Sequence, residues 1–242
     1  MSETPSEAWF SVFPSPRIPD VLAYVGRTWG YLRSAYPDQV SFAADEPTLT
    51  DNLCEALADQ DRRRTAQMDC DFQSETWELR RAADGSTSRI ARADIRVILG
   101  APGTPHFVIE FKKLDGSSGA RWRYCHDGLN RFVEGKYAIG HAYGAMCGFS
   151  SVDPATEATA MAAYICDPKR AAKLECIADT AGTIITSPSV ADPGNASFDT
   201  DHGRPKVKPY APITVLHIFL WCDSVASNDD ALEDEGGQQG VA

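Results

Sequence analysis

The run HFVIEFKKL, residues 106–114, limits the possible fold more than any other stretch. Side chains alternate across a strand, so Phe107, Ile109 and Phe111 share one face and Val108, Glu110 and Lys112 the other. The first face is wholly apolar and requires a core. The second sets an acid and an amine side by side near one end of the strand. Such a pair is costly unless it is exposed, paired or bound to a metal. A second run, IARADIRVIL at 90–99, is rich in β-branched residues and alternates, which predicts another strand. A Gly- and Pro-rich loop, 100–105, separates the two. An antiparallel hairpin through it brings Asp94, which interrupts the second run, beside Glu110.

Around this pair the chain reads as helices, then strands, then helices and strands in alternation. Residues 1–19 predict an irregular arm with Trp9, Phe10 and Phe13 as anchors. Residues 20–35 carry Val21, Leu22, Val25, Trp29 and Leu32 at helical spacing behind an Asp20 N-cap. A second helix follows over 45–64, with the stripe Leu49, Leu53, Leu57 and a cap at Thr48 or Thr50. Residues 71–81 predict a strand turned at Asp84-Gly85 into the next. Trp122 to Met146 reads as helix, with Gly140, Gly144 and Gly148 allowing it to pack closely on the sheet. CGFSSV predicts a strand, followed by helices at 154–166 and near 168–178, and a short strand in TIITSPSV. The stretch 191–212 reads as a long loop, and PITVLHIFLWC, 212–222, as a buried strand. The expected class is α/β: a mixed central sheet flanked by helices in one domain, residues 20–223.

The sequence has 242 residues and is 43% hydrophobic, enough for a sizeable core. No apolar run approaches the roughly 20 residues of a membrane span, and the N-terminus lacks the basic flank and apolar stretch of a secretory signal. A cytoplasmic protein with no membrane partner is expected. The seven cysteines show neither a CxxC pair nor zinc-type spacing, which predicts reduced, buried thiols. The formal net charge of -11 argues against a chain that grips nucleic acid by bulk charge. Part of the excess lies in residues 224–242, whose five acids and no base read as a disordered tail. Basic residues do cluster at Arg62–Arg64, Arg80-Arg81, Lys112-Lys113, Arg121 with Arg123, and Lys206 with Lys208.

Two carboxylates converging at a sheet edge make a hard oxygen site suited to Mg2+. Such an ion acidifies a bound water and shields charge on a phosphate. A neighbouring lysine holds or deprotonates the water, or stabilises the developing charge. Asp94 followed after a short loop by Glu110-Phe111-Lys112 resembles the D…ExK core of the PD-(D/E)XK nuclease superfamily. Its members are restriction endonuclease-like enzymes, some of them bacterial anti-phage effectors. Ala93 stands where the family's proline is expected. The resemblance implies a restriction endonuclease-like core and metal-dependent hydrolysis of phosphodiesters, in DNA or alternatively RNA. It further implies Mg2+ or Mn2+ held by Asp94 and Glu110, and Lys112 positioning the water. The family's preceding helix brings another acid. Glu46 fits best, since it lies three, four and seven residues before Leu49, Thr50 and Leu53. Glu55 lies off that stripe, and Glu78 on the first strand is a further option. GLNRFVEGKYAIGHAYGAMCGF resembles the family's helix–strand unit after ExK, and FDTDHGRP a late polar loop. Lys113, His202 and Arg204 are then candidates for substrate contact. With an acidic body and no DNA-reading module, targeting is expected from a homo-oligomer or a partner subunit. A non-catalytic subunit that keeps the nuclease fold to bind a partner is the alternative. His217, inside an apolar strand, reads as a hydrogen-bonded core histidine.

Overall fold

The computed structural model of the chain describes residues 13–81, 87–99, 106–194, 196–207 and 211–222. The expected anchors Trp9 and Phe10, the Asp84-Gly85 turn and the acidic tail lie outside them. Phe13 is buried against Phe107, their rings 5.8 Å apart.

The first helix, α1 (Ile18–Ala35), buries Val21, Leu22, Val25, Trp29 and Leu32, the stripe expected from the sequence. Asp20 lies in its first turn rather than at the cap. The second helix differs more. Asp45, not Thr48 or Thr50, caps α2 (Glu46–Ala58), accepting from Thr48 N–H at 2.8 Å. The chain then breaks at Asp59, whose carboxylate caps a separate α3 (Gln60–Thr65) through Arg62 N–H at 2.7 Å. An aspartate satisfies the free N–H groups of a new first turn more cheaply than it sits inside a helix, so one expected helix becomes two.

Next come β1 (Cys70–Arg81), β2 (Thr87–Leu99) and β3 (His106–Leu114), each antiparallel to the one before. The helical stretch after β3 is shorter than expected. It comprises α4 (Ser118–Arg123), a π-helical segment at Tyr124–Leu129 and α5 (Asn130–Val133). Residues 143–146 are not helical but open β4 (Tyr143–Ser150). Gly144 and Gly148 keep the packing role expected of them on a different element, whereas Gly140, at φ +77°, meets nothing within 4 Å and serves the turn before β4. A Cβ on Gly144 would sit 2.4 Å from a Phe132 ring carbon, and one on Gly148 2.4 Å from Leu114 Cδ1. Helices α6 (Pro154–Ile165) and α7 (Pro168–Lys173) follow, then the short strands β5 (Cys176–Ile177) and β6 (Ile185–Thr186). The stretch 191–212 is not all loop: Ser197–His202 forms β7, which pairs antiparallel with β8 (Ile213–Trp221).

Among the described residues the sheet has eight strands in the order β1-β2-β3-β4-β8-β7-β5, with β6 also on β7. β3, β4 and β8 run parallel and the rest antiparallel. This is a mixed α/β sheet, covered on both faces, in a single domain. On one face Val21, Leu22, Leu49 and Leu53 pack on Phe107, Ile109 and Phe111. On the other Tyr124, Leu129, Phe132 and Met161 pack on Val108, Met146, Val215 and Phe219. No described helix is long and apolar enough to cross a membrane.

Candidate active site

The period-2 rule sends Val108 and Glu110 to the side of β3 that α4, the π-helical segment and α5 cover. Glu110 is fully buried there. The ladder between β2 and β3 runs from Ile98↔His106 to Ile95↔Ile109 and stops. At the next residue the Asp94 side chain takes over: its Oδ2 accepts from Phe111 N–H at 2.7 Å. β2 thus leaves β3 at Asp94, and the carboxylate satisfies the backbone donor that the ladder leaves behind.

Lys112 Nζ stands among three carboxylates. It is 2.9 Å from Glu110 Oε1, 2.9 Å from Glu46 Oε1 and 4.0 Å from Asp94 Oδ2. Glu46 reaches this point from the first turn of α2, and its Oε2 also accepts from Lys113 N–H at 3.0 Å. Three elements distant in sequence therefore deliver Glu46, Asp94, Glu110 and Lys112 to one place. Glu55 is exposed on α2, and the side chain of Glu78 is outside the described residues.

Burial, then the Asp94 charge, push the Glu110 carboxyl up to about 7, against the pull of Lys112 and Arg131. Burial also raises Asp94, opposed by Lys112, by the Phe111 N–H and by a side-chain hydrogen bond with Glu110 that forms when the pair holds a proton. For Lys112 burial alone would favour the neutral amine. The carboxylates of Glu110, Asp94 and Glu46 outweigh it and hold the ammonium above the ordinary lysine value.

Two groups that sequence reasoning missed complete the surroundings of Glu110. Arg131 Nη1 lies 3.2 Å from Glu110 Oε1 and donates to Tyr137 Oη at 2.5 Å. Tyr137 in turn donates to Arg92 O at 2.6 Å, which ties this pair to β2. Nothing in the local pattern marks either residue. Their place depends on where the helix after β3 ends, which the sequence reading put thirteen residues too late (Met146 rather than Val133).

The other oxygen of Glu110, Oε2, is buried with no hydrogen-bond partner. An orphaned carboxylate oxygen beside a second carboxylate is the chemistry of a hard-cation ligand. Among the described residues no three or more His, Cys, Asp and Glu side chains form a ready cation cage. Mg2+ does not need one, since one or two carboxylates, waters and substrate phosphates complete its octahedron. Glu110 Oε2 and Asp94 are the oxygens that could hold such an ion.

The three expected substrate contacts sit elsewhere. Lys113 Nζ donates to Phe42 O and Ala44 O, both at 2.6 Å, and so clamps the segment before α2. Arg204 is fully buried and donates to the carbonyls of Ala211, Ala138 and His141, each at 2.9 Å. It fastens a loop crossing rather than facing a ligand. His202 is also fully buried, on β7. Its Nδ1 donates to Leu174 O at 2.8 Å, so Nε2 accepts from Thr200 Oγ1 at 2.6 Å. Thr200 then accepts from His217 Nε2 at 2.8 Å, and His217 Nδ1 accepts from Tyr124 Oη at 2.9 Å. Only this direction satisfies every member with both imidazoles neutral. His217 is thus the hydrogen-bonded core histidine expected, and His202 is its neighbour in the same chain.

Comparison with family models, with curated proteins and with solved structures finds no match for this chain.

Proposed function

We propose that this chain is a metal-dependent nuclease of the PD-(D/E)XK kind that hydrolyses phosphodiester bonds of DNA. One observation carries the reading. Lys112 Nζ lies within 2.9 Å of carboxylates from two elements and 4.0 Å of a third, while the second oxygen of Glu110 is buried without a partner. A cation between Glu110 and Asp94 would take the place of the proton that this buried carboxyl pair otherwise holds. Glu110 and Asp94 would hold Mg2+ or Mn2+, with Glu46 contributing to the ion or to the water. The ion supplies Lewis acidity and an acidified water.

The chain's own groups do the positioning. Lys112 is held as an ammonium, so it donates to the attacking water or a phosphate oxygen and stabilises negative charge there. Glu46 fixes Lys112 from one side and Glu110 from the other. Arg131 and the Tyr137 hydroxyl fix Glu110 against β2. The net charge of -11 supports targeting by an oligomer or a partner subunit, and RNA is the alternative substrate. A role as an effector of bacterial anti-phage defence follows by analogy with nucleases of this type.

A second reading has an observation of its own. The Lys112 ammonium already offsets the carboxylate charge with no cation, as a non-catalytic scaffold that binds a partner would require. Cleavage decides between the two. Purified protein incubated with supercoiled plasmid is expected to nick it with Mg2+ or Mn2+ and not with EDTA. Lys112→Ala is expected to slow the reaction about 100-fold or more. Equal nicking by wild type and Lys112→Ala would remove the mechanism. No metal-dependent nicking of DNA or RNA by the wild type would favour the scaffold.

A further inference from the structure

Across the helical segment from Glu110 lies a groove that the proposed chemistry does not use. Trp122, His126, Asn130, Tyr164, Arg170 and Lys173 line it over a floor of Cys125 and Leu174, an open groove of about 80 Å3. The Trp122 and His126 rings stack 4.4 Å apart at 13°, and Trp122 remains 49% exposed, so the indole offers apolar surface to solvent. Also lining it, the Arg170 guanidinium lies 3.6 Å from the Tyr164 ring centroid and donates to Tyr164 O at 3.1 Å, with Asp167 Oδ1 at 3.9 Å. This fixes a second flat, cationic surface. Lys173 stands exposed one turn further along α7. A second depression shares Asn130 and Lys173 with the first; Glu134, Glu175 and Lys206 also line it, so its charge is mixed and the cations of the first groove are the ones that matter here.

Flat aromatic faces beside cations are what a nucleotide uses: the base stacks and the phosphate pairs with the basic groups. An apolar peptide would leave Arg170 and Lys173 desolvated, and an acidic peptide would leave the stacked rings unused. The groove and the candidate centre flank the same helical segment. A Cβ on Gly128, on the other side of the same helical segment, would sit 3.6 Å from Glu110 Cγ. Groove and centre are thus about one helix diameter apart, roughly 10 Å.

We propose that the groove holds a nucleotide of a single strand, its base on Trp122 and its phosphates toward Arg170 and Lys173. The claim that this strand runs on to Glu110 rests on the nuclease reading; the binding itself does not. The test is therefore made without divalent metal, where no hydrolysis is read. Fluorescence anisotropy of a labelled short oligothymidine in EDTA is measured for wild type, Trp122→Ala, Lys173→Glu and, as a control, Tyr36→Ala, an exposed ring remote from the groove. Wild type and the control are expected to bind with a Kd below about 100 μM. Trp122→Ala and Lys173→Glu are each expected to weaken binding about tenfold. Circular dichroism checks that both remain folded, as their exposed positions require. The inference is overturned by a wild type that does not bind in that range, or by variants that bind as tightly as wild type. It is equally overturned by thymidine monophosphate competing as well as the oligonucleotide, or by tighter binding of duplex. Failure of the nuclease reading registers separately, as absent metal-dependent cleavage alongside Trp122-dependent binding.

Discussion

Lys112 shows how magnitudes decide a role. A buried lysine left alone loses its charge and can serve as a base. Here three carboxylates reverse that tendency, so the side chain acts as a donor. The histidines show the opposite outcome, because no acid compensates their burial. Desolvation pulls His202 down to about 4 and His217 well below its ordinary value. In the unfolded chain both titrate near 6.5. Between those values the unfolded state takes up protons that the folded state refuses, so the histidines' contribution to stability falls as pH drops from about 6.5 toward 4. The Glu110 carboxyl, raised to about 7, takes up a proton on folding and offsets that loss over the same range. The readout is therefore the imidazoles themselves, neither of which is expected to titrate by NMR above pH 5. Either imidazole titrating near 6.5 would contradict the neutral chain from Tyr124 to Leu174. From the sequence, His202 and Arg204 looked like loop residues free to meet a substrate. A polar residue's address in sequence says nothing about which carbonyls the fold brings to it.

At the scale of elements, β3 was readable to its ends, because its alternation matches a strand buried on both sides. The 3.6-residue stripe of α1 was equally plain. β7 was hidden, since SFDTDH lacks apolar alternation. Its interior-facing Thr200 and His202 are paid for by hydrogen bonds to each other and to His217 on β8, a compensation visible only once the strands pair. The stretch after β3 misled for another reason: glycines that permit close packing do so on a strand as well as on a helix. Of the site, the Asp94, Glu110 and Lys112 grouping follows from strand parity and one hairpin, and Glu46 from the family resemblance, with helical spacing favouring it over Glu55. Arg131 and Tyr137 do not, because they depend on tertiary placement. One contact between elements makes a sharp prediction. Glu157 on α6 is fully buried and paired with Arg121 on α4 through Nε at 2.8 Å and Nη2 at 2.9 Å. Arg121→Ala leaves that carboxylate buried and alone, and is expected to cost about 3–5 kcal/mol. In thermal unfolding a further Glu157→Gln should recover part of the loss. Unchanged stability in Arg121→Ala would show the pair to be solvated.

For the molecule as a whole, the sequence reading of an α/β domain with a mixed sheet between helices holds. The basic cleft it allowed is not built from Arg62 and Arg63. Arg62 lies over the Tyr31 ring at 3.6 Å, and Arg63 pairs with Asp71 at 2.7 Å. On the proposed reading, an acidic body whose arginines are engaged locally would meet phosphate through an ion at its carboxylates and the groove beside Trp122. The location of that ion is the decisive observation. Crystals soaked in Mn2+ and measured at its absorption edge should show one anomalous peak about 2.0–2.2 Å from Glu110 Oε2 and a carboxylate oxygen of Asp94, lost in Glu110→Gln. No peak there at saturating Mn2+, with the Lys112 ammonium still clamped between Glu46 and Glu110, would contradict a metal-dependent centre.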